Sequence, residues 1–202
     1  MLCTFLNLEC PLNCGLVFCD INCKKRKWHS STECGLLKEA EELRNRMGFK
    51  LLRGNEISNW LLVLRCLLLQ KTLPENWENL QLLDDNLDEG LYKKKHLQTY
   101  NEHVLNPLKR VFPSITSNFK DNEILELCAK LDSNAFRQGE CCRALFAVAS
   151  MLNHSCVPNA RVVFDVDGNV KILAKSYIEI GDEITITYCS QLLGTWVSYF
   201  NF

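Results

Sequence analysis

The sequence has no marked excess of charge of either sign, no long apolar run and no recognisable export signal. Its formal net charge is −1 over 202 residues, so no global basic field argues for a nucleic-acid partner. A local basic run, Lys24 to Lys27, is short and reads as a solvated face. The longest apolar stretch, Trp60 to Leu69, is broken by Arg65. It is too short to span a bilayer and reads as a core helix, so no membrane association is expected. The stretch from Met1 to Cys10 lacks a basic segment followed by a continuous apolar one, which excludes a convincing signal peptide. A reducing compartment, cytoplasmic or nuclear, is therefore expected. Internal repeats and low-complexity segments are also absent. Hydrophobic residues at 47% and charged residues at 23% suit a soluble chain with one or two compact domains and a sizeable core.

Cysteine, by contrast, is abundant: there are 12, and six of them (Cys3, Cys10, Cys14, Cys19, Cys23 and Cys34) crowd into the first 34 residues. A disulfide framework and a metal site are the two readings of such a cluster, and a reducing compartment favours metal. Cys10 and Cys14 form one short pair, Cys19 and Cys23 a second, and His29 with Cys34 a third. Zinc takes four nitrogen or sulfur ligands in a tetrahedron, and closely spaced pairs can grip one ion. The expected metal is structural and closed, contributing folding free energy rather than catalysis.

Beyond this region the character changes. Residues 35–132 read as helices, with candidates at Leu36–Met47, Ile57–Gln70, Glu75–Leu87, Leu91–Asn106 and Asp121–Leu131. Gly48 and Gly90 fall at breaks, Pro74 pre-sets a helix start, Pro107 is read as ending the fourth helix, and Asp121 as capping the fifth. Residues 133–189 turn to β patterning. Two runs, Arg161–Val166 and Val170–Ala174, flank Asp167, Gly168 and Asn169 as strand, turn and strand. A third β-rich run, Ile184–Tyr188, follows a turn at Gly181 and Asp182.

The string from Ser150 to Asn159, with Asn153, His154, Ser155 and Cys156 at its centre, follows an apolar flank from Ala144 to Ala149. Taken alone, it reads equally as a capped turn with a satisfied core histidine. Together with the run from Gly181 to Tyr188, it resembles the paired motifs of SET-domain methyltransferases. The ligand order in the first 34 residues, with Phe18 before Cys19 and Trp28 before His29, resembles a MYND zinc finger. Finger, helical insert and SET motifs in this order resemble the SET-and-MYND (SMYD) family of lysine methyltransferases. The finger spacings and Leu192 to Thr195 after the tyrosine resemble its arthropod-specific branch.

The resemblance implies an α+β fold: a zinc-bound MYND finger at 1–34, a helical SET insert at 35–132, the C-terminal β-rich half of a SET core at 133–189, and a divergent tail at 190–202. It implies one zinc on Cys10, Cys14, His29 and Cys34, and a second on Cys19 and Cys23 with an earlier pair, of which only Cys3 is present. The Cys10–Cys14 and His29–Cys34 spacings are each one residue longer than the family's common pattern. Asn134, Ser150, Asn153 and His154 are implied to line an S-adenosylmethionine pocket, with Tyr188 as the catalytic tyrosine. Cys156 would join a third zinc with cysteines after the tyrosine, but residues 196–202 contain none. The family's Gly-x-Gly cofactor loop before the finger is also missing, so this chain is expected to transfer methyl groups weakly or not at all. The implied partners are a protein substrate lysine and a peptide ligand of the finger. A non-catalytic adaptor built on that finger is the alternative function.

Overall fold

The computed structural model describes residues 8–18, 21, 27–47, 55–87, 91–138, 142–165 and 168–188. Cys3, Cys19, Cys23, most of the basic run, the glycines at 48 and 90 and the tail lie outside them. The chain divides into two compact units, Met1–Trp77 with Lys94–Leu125, and Glu78–Lys93 with Glu126–Phe202.

The first unit opens with a short antiparallel pair, β1 (Leu8–Glu9) and β2 (Val17–Phe18). A helical segment follows, beginning with a wide π turn at His29–Glu33 and continuing as α1 (Cys34–Met47). Next come α2 (Asn55–Thr72) and the start of α3 (Pro74–Gln81). Later in the chain, α4 (Leu91–Tyr100), a second π turn (Asn101–Leu105), α5 (Asn106–Val111) and α6 (Pro113–Thr116) form nearly continuous helix. The apolar stretch around Arg65 is the centre of this unit. Trp60, Val63, Leu64, Cys66 and Leu67 of α2 are buried, as are Val104, Leu105, Leu108 and Phe112. Trp60 and Phe112 pack with ring centroids 5.7 Å apart. Full burial of such a side chain contributes about 1.5–3 kcal/mol. Leu64 has no exposed surface, so Leu64→Ala should destabilise the unit by about 2–5 kcal/mol, as read by urea unfolding.

Three helix boundaries differ from the sequence expectation, each for a local reason. Pro107 does not end its helix. It falls in the first turn of α5, directly after the π turn, whose wide register sends the Asn106 N–H to the Asn101 carbonyl. The helix thereby passes a residue that has no N–H to give. The third helix stops at Gln81 rather than Leu87 because Asp84 and Asp85 divert the backbone. Their carboxylates accept from the N–H groups of Asn86 at 3.3 Å and Leu87 at 3.1 Å, an alternative to helical bonding that short acidic side chains favour. Asp121 lies inside α7 (Asp121–Asn134) rather than capping it. Lys120 holds the cap position, and its N–H donates to the Glu123 carboxylate at 2.6 Å, one half of a capping box. The Asp121 carboxylate instead accepts from Lys109 at 2.8 Å.

Among its described residues the second unit contains the C-terminal part of α7 and six short strands paired as three two-stranded ladders. These are antiparallel β3 (Phe136–Gln138) with β4 (Cys142–Ala144), antiparallel β6 (Ala160–Phe164) with β7 (Val170–Ala174), and parallel β5 (Asn153–His154) with β8 (Thr185–Ile186). Phe136, Phe146 and Phe164 form an aromatic cluster with centroids 5.9–6.4 Å apart. The β6–β7 hairpin agrees with the sequence reading, but β6 ends at Phe164. Asp165 already belongs to the turn, where its carboxylate accepts from the Asn169 N–H at 2.9 Å. Gly168, at φ +80°, supplies the left-handed backbone that closes it. The run at Ile184–Tyr188 yields only the two-residue β8. Among the described residues, no helix is long and apolar enough to cross a membrane.

Candidate metal centre and SET motif

Four buried side chains of the first unit converge: Cys10, Cys14, His29 and Cys34, with all ligand atoms within 4.8 Å of one another. Cys10 and Cys14 come from the turn after β1. Asn13 and Gly15 take left-handed backbone there, at φ 55° and 83°, which folds the chain so that both thiols meet the histidine. The other two ligands sit on the helix. On an α-helix, residues five apart lie roughly 140° apart around the axis. The π turn removes that divergence: the Cys34 N–H donates to the His29 carbonyl, and the two side chains share a face. The spacing that is one residue longer than the common pattern is therefore taken up as one extra residue in a helical turn, with the ligand pair intact.

The distances fit a tetrahedral ion. Cys10 Sγ lies 3.4 Å from His29 Nε2 and 3.6 Å from Cys34 Sγ, and Cys14 Sγ lies 3.6 Å from Nε2. Ligands at zinc–sulfur and zinc–nitrogen lengths span tetrahedral edges of about 3.5–3.8 Å. These cysteines are not disulfide-bonded. Their electrostatics differ from one thiol to the next. Burial pushes the Cys10 thiol up, but hydrogen bonds from His29 and from the backbone of Leu12 and Cys14 outweigh it and bring it down to about 6. Burial pushes Cys14 up to about 12 and also raises Cys34. One thiolate forms readily, whereas three in one buried cluster require a positive partner.

Sequence reasoning missed Glu33 and Arg65. Glu33 is fully buried and accepts from His29 Nδ1 at 2.8 Å. In a zinc-bound centre that bond would keep the proton on Nδ1 and leave the Nε2 lone pair to the ion. Burial raises the Glu33 carboxyl, but the Arg65 guanidinium and His29 overcome it and hold it below the ordinary range.

The second unit brings together the two motifs that the sequence paired. The β5–β8 ladder sets Asn153 opposite Thr185 and His154 opposite Ile186. The Ser155 N–H donates to the Ile186 carbonyl at 2.9 Å. His154 Nδ1 accepts from the Tyr188 N–H at 3.1 Å, and the two rings lie 5.3 Å apart. With Nδ1 accepting, the proton sits on Nε2, 3.4 Å from Cys156 Sγ. The Tyr188 hydroxyl donates to the Leu152 carbonyl at 2.6 Å, and burial raises its pKa. Asn153 Nδ2 donates to Glu183 at 2.6 Å. Ser150 Oγ donates to the Asn134 carbonyl at 2.8 Å, while Asn134 Nδ2 donates to the carbonyls of Asp84 and Lys130. Asn134 thus anchors the Asp84 turn to α7, a structural use of its amide that the sequence did not suggest. Asn159 was likewise not singled out. Its Nδ2 donates to the Glu183 carbonyl at 2.8 Å and its Oδ1 accepts from the Thr185 N–H at 2.9 Å.

The SET domain family model matches residues 17–189. The chain belongs to the SET-domain family. It is 26% identical over 190 residues to the histone-lysine N-methyltransferase SMYD3 of Homo sapiens, covering 87% of this chain and 41% of that protein. It is 26% identical over 199 residues to the SET domain-containing protein SmydA-8, isoform B, of Drosophila melanogaster, covering 92% and 39%. It is 29% identical over 196 residues to the histone-lysine N-methyltransferase ASHR1 of Arabidopsis thaliana, covering 90% and 38%. The SMYD-type assignment accords with these relatives, while their similar identities single out no arthropod branch. The chain spans about two fifths of the length of these relatives.

Proposed function

We propose that this chain is part of a protein-lysine N-methyltransferase of the SMYD type, acting in the cytoplasm or nucleus, with S-adenosylmethionine as methyl donor and zinc as a structural metal. The observation that carries the reading is the parallel β5–β8 pairing, which sets Asn153, His154 and Tyr188 side by side. The polar groups near it suit a zwitterionic cofactor: exposed Asn153 offers an amide oxygen, and half-buried Ser150 a hydroxyl oxygen. S-adenosylmethionine, when bound, supplies a methyl group on a sulfonium.

The acceptor lysine has an ordinary pKa of about 10.4 and must lose its proton before it can attack. Tyr188 does not act as that base, because burial raises its own pKa and keeps it a neutral phenol. Its hydroxyl proton is committed to the Leu152 carbonyl, which leaves the oxygen lone pairs to accept from the amine and orient it. The remaining contribution is alignment, which Asn153 and His154 serve by fixing the strand that carries Tyr188.

Calorimetric titration with S-adenosylmethionine tests this pocket. Binding is expected, and Asn153→Ala should weaken it. In a methyl-transferring protein that contains this segment, Tyr188→Phe should lower transfer of labelled methyl groups while unfolding stability drops by only about 0.5–1.5 kcal/mol, the worth of one hydrogen bond. Undiminished labelling by Tyr188→Phe would refute its role.

The finger reading is proposed alongside: Cys10, Cys14, His29 and Cys34 hold one zinc in a MYND-type module at 1–34, with Cys3, Cys19 and Cys23 forming a weaker second site and Cys156 available to a third. Elemental analysis should return at least one zinc per chain.

A further inference from the structure

The zinc ligands do not stand alone. His29 leans on Glu33, and Glu33 leans on a residue of a different helix. Arg65 of α2 donates from Nε to Glu33 Oε2 at 2.7 Å and from a terminal nitrogen to Oε1 at 2.8 Å. This two-pronged geometry is the strongest form of guanidinium–carboxylate pairing. Glu33 Oε1 accepts from His29 Nδ1 as well, at 2.8 Å, so both carboxylate oxygens are partnered. Glu33 has no exposed surface. A lone carboxylate in that position would be strongly unfavourable, and it is tolerated because it is fully partnered.

We propose that Glu33 and Arg65 are positioning residues for the metal centre, forming a relay in which the α2 arginine fixes the carboxylate that fixes the zinc-binding histidine. The inference rests on the zinc reading above and adds the residues that set how tightly the ion is held. Arg65 interrupts the longest apolar stretch of the sequence, between Leu64 and Cys66, which are both buried. Its side chain is 42% exposed, on the partly exposed face of α2 with Leu62 and Leu69, and its guanidinium reaches the buried Glu33 carboxylate. The π turn contributes too, because Glu33 sits one residue before Cys34 and four after His29. Both ligands and their support thus occupy one helical turn. Lysine cannot replace arginine in this role, since an ammonium is a single point and cannot meet both oxygens in the same plane.

Zinc affinity of the 202-residue chain, measured by competition with a chromophoric chelator, tests the relay. Glu33→Ala and Arg65→Ala should each weaken zinc by about 10–100-fold, as loss of an outer-sphere partner does. Arg65→Lys should fall between Arg65→Ala and the wild type. The decisive comparison is the double variant. If Arg65 acts through Glu33, adding Arg65→Ala to Glu33→Ala should cause little further loss. Leu64→Ala serves as a packing control, and it should lower unfolding stability more than it lowers zinc affinity. The His29 Nδ1 proton, followed by nitrogen-edited NMR of the zinc-loaded protein, should be hydrogen-bonded and slow to exchange in the wild type and lose that protection in Glu33→Ala. A wild type that binds no zinc would overturn the metal reading and the relay together. A zinc-bound wild type whose Glu33 and Arg65 variants match it, or lose affinity additively, would overturn the relay alone.

Discussion

Chelating the metal should unfold the amino-terminal end of the first unit while leaving the α2 core folded. Residues 8–18 contain few buried apolar side chains, chiefly Phe18, whose ring meets His29 edge-on at 4.9 Å. The β1–β2 ladder is two residues long, too short to persist without support. What holds this segment is the meeting of Cys10 and Cys14 with His29 and Cys34. A structural zinc contributes an apparent 10–16 kcal/mol or so at neutral pH, comparable to the whole stability of an ordinary domain of about 5–15 kcal/mol. The α2 core instead rests on Trp60, Leu64, Leu67, Leu105, Leu108 and Phe112, which need no ion. Hydrogen exchange before and after a strong chelator should show protection lost over residues 8–18 and 27–37 and kept over 60–68. Cys34→Ser should reproduce the chelated pattern and lose the ion. A chain that keeps full protection at 8–37 after verified removal of metal would show that the cluster is a packing feature and not a metal centre.

The convergence of Cys10, Cys14, His29 and Cys34 was legible because metal-ligand pairs, where they occur, lie close together in sequence. Their support was not, because Arg65 lies 32 residues beyond Glu33 and no spacing rule links them. Arg65 registered only as an interruption in an apolar run. The extra residue between His29 and Cys34 looked like a departure from the common pattern, since α-helical periodicity does not anticipate a π turn. Helices α1 and α7, through their apolar periodicity, and α2, through its long apolar run, could be read to within a few residues. Pro107 and Asp84 misled because their effect depends on hydrogen bonds made by neighbours. The SET motif is a further case. Alone, Ser150–Asn159 reads equally as a capped turn, because β5 is two residues long and owes its existence to β8, about 30 residues away. Only the family resemblance paired them. Asn159 went unnoticed because an asparagine after a proline reads as ordinary turn chemistry, whereas here it ties strands together.

Asn159→Ala should impair the SET motif more than its distance in sequence from Tyr188 suggests. Strand β8 has only two residues, so its ladder cannot hold its own register. Asn159 supplies the missing restraint. Its Oδ1 accepts from the Thr185 N–H at 2.9 Å, its Nδ2 donates to the Glu183 carbonyl at 2.8 Å, and its own carbonyl accepts from the Lys175 N–H at 2.7 Å. Alanine keeps the last bond and deletes the first two. An unpaired group costs about 1–3 kcal/mol when buried. Thr185 is half-buried and Glu183 exposed, which puts the stability loss at the low end, about 1–2 kcal/mol. The larger consequence is positional. Tyr188 follows β8 by two residues, and its N–H is registered on His154. A shift of about 1 Å in a reacting group can cost on the order of 100-fold in rate. In a methyl-transferring protein that contains this segment, kcat should therefore fall by roughly that factor, with KM for S-adenosylmethionine changed much less. Asn159→Asp, which keeps the acceptor for Thr185 and loses the donor to Glu183, should fall between. In this chain, amide exchange at Thr185 should accelerate in Asn159→Ala while β6 and β7 keep their protection. An Asn159→Ala variant with unchanged kcat and unchanged exchange at Thr185 would show that the β5–β8 register is held by the strands themselves, and that Asn159 is an ordinary turn residue.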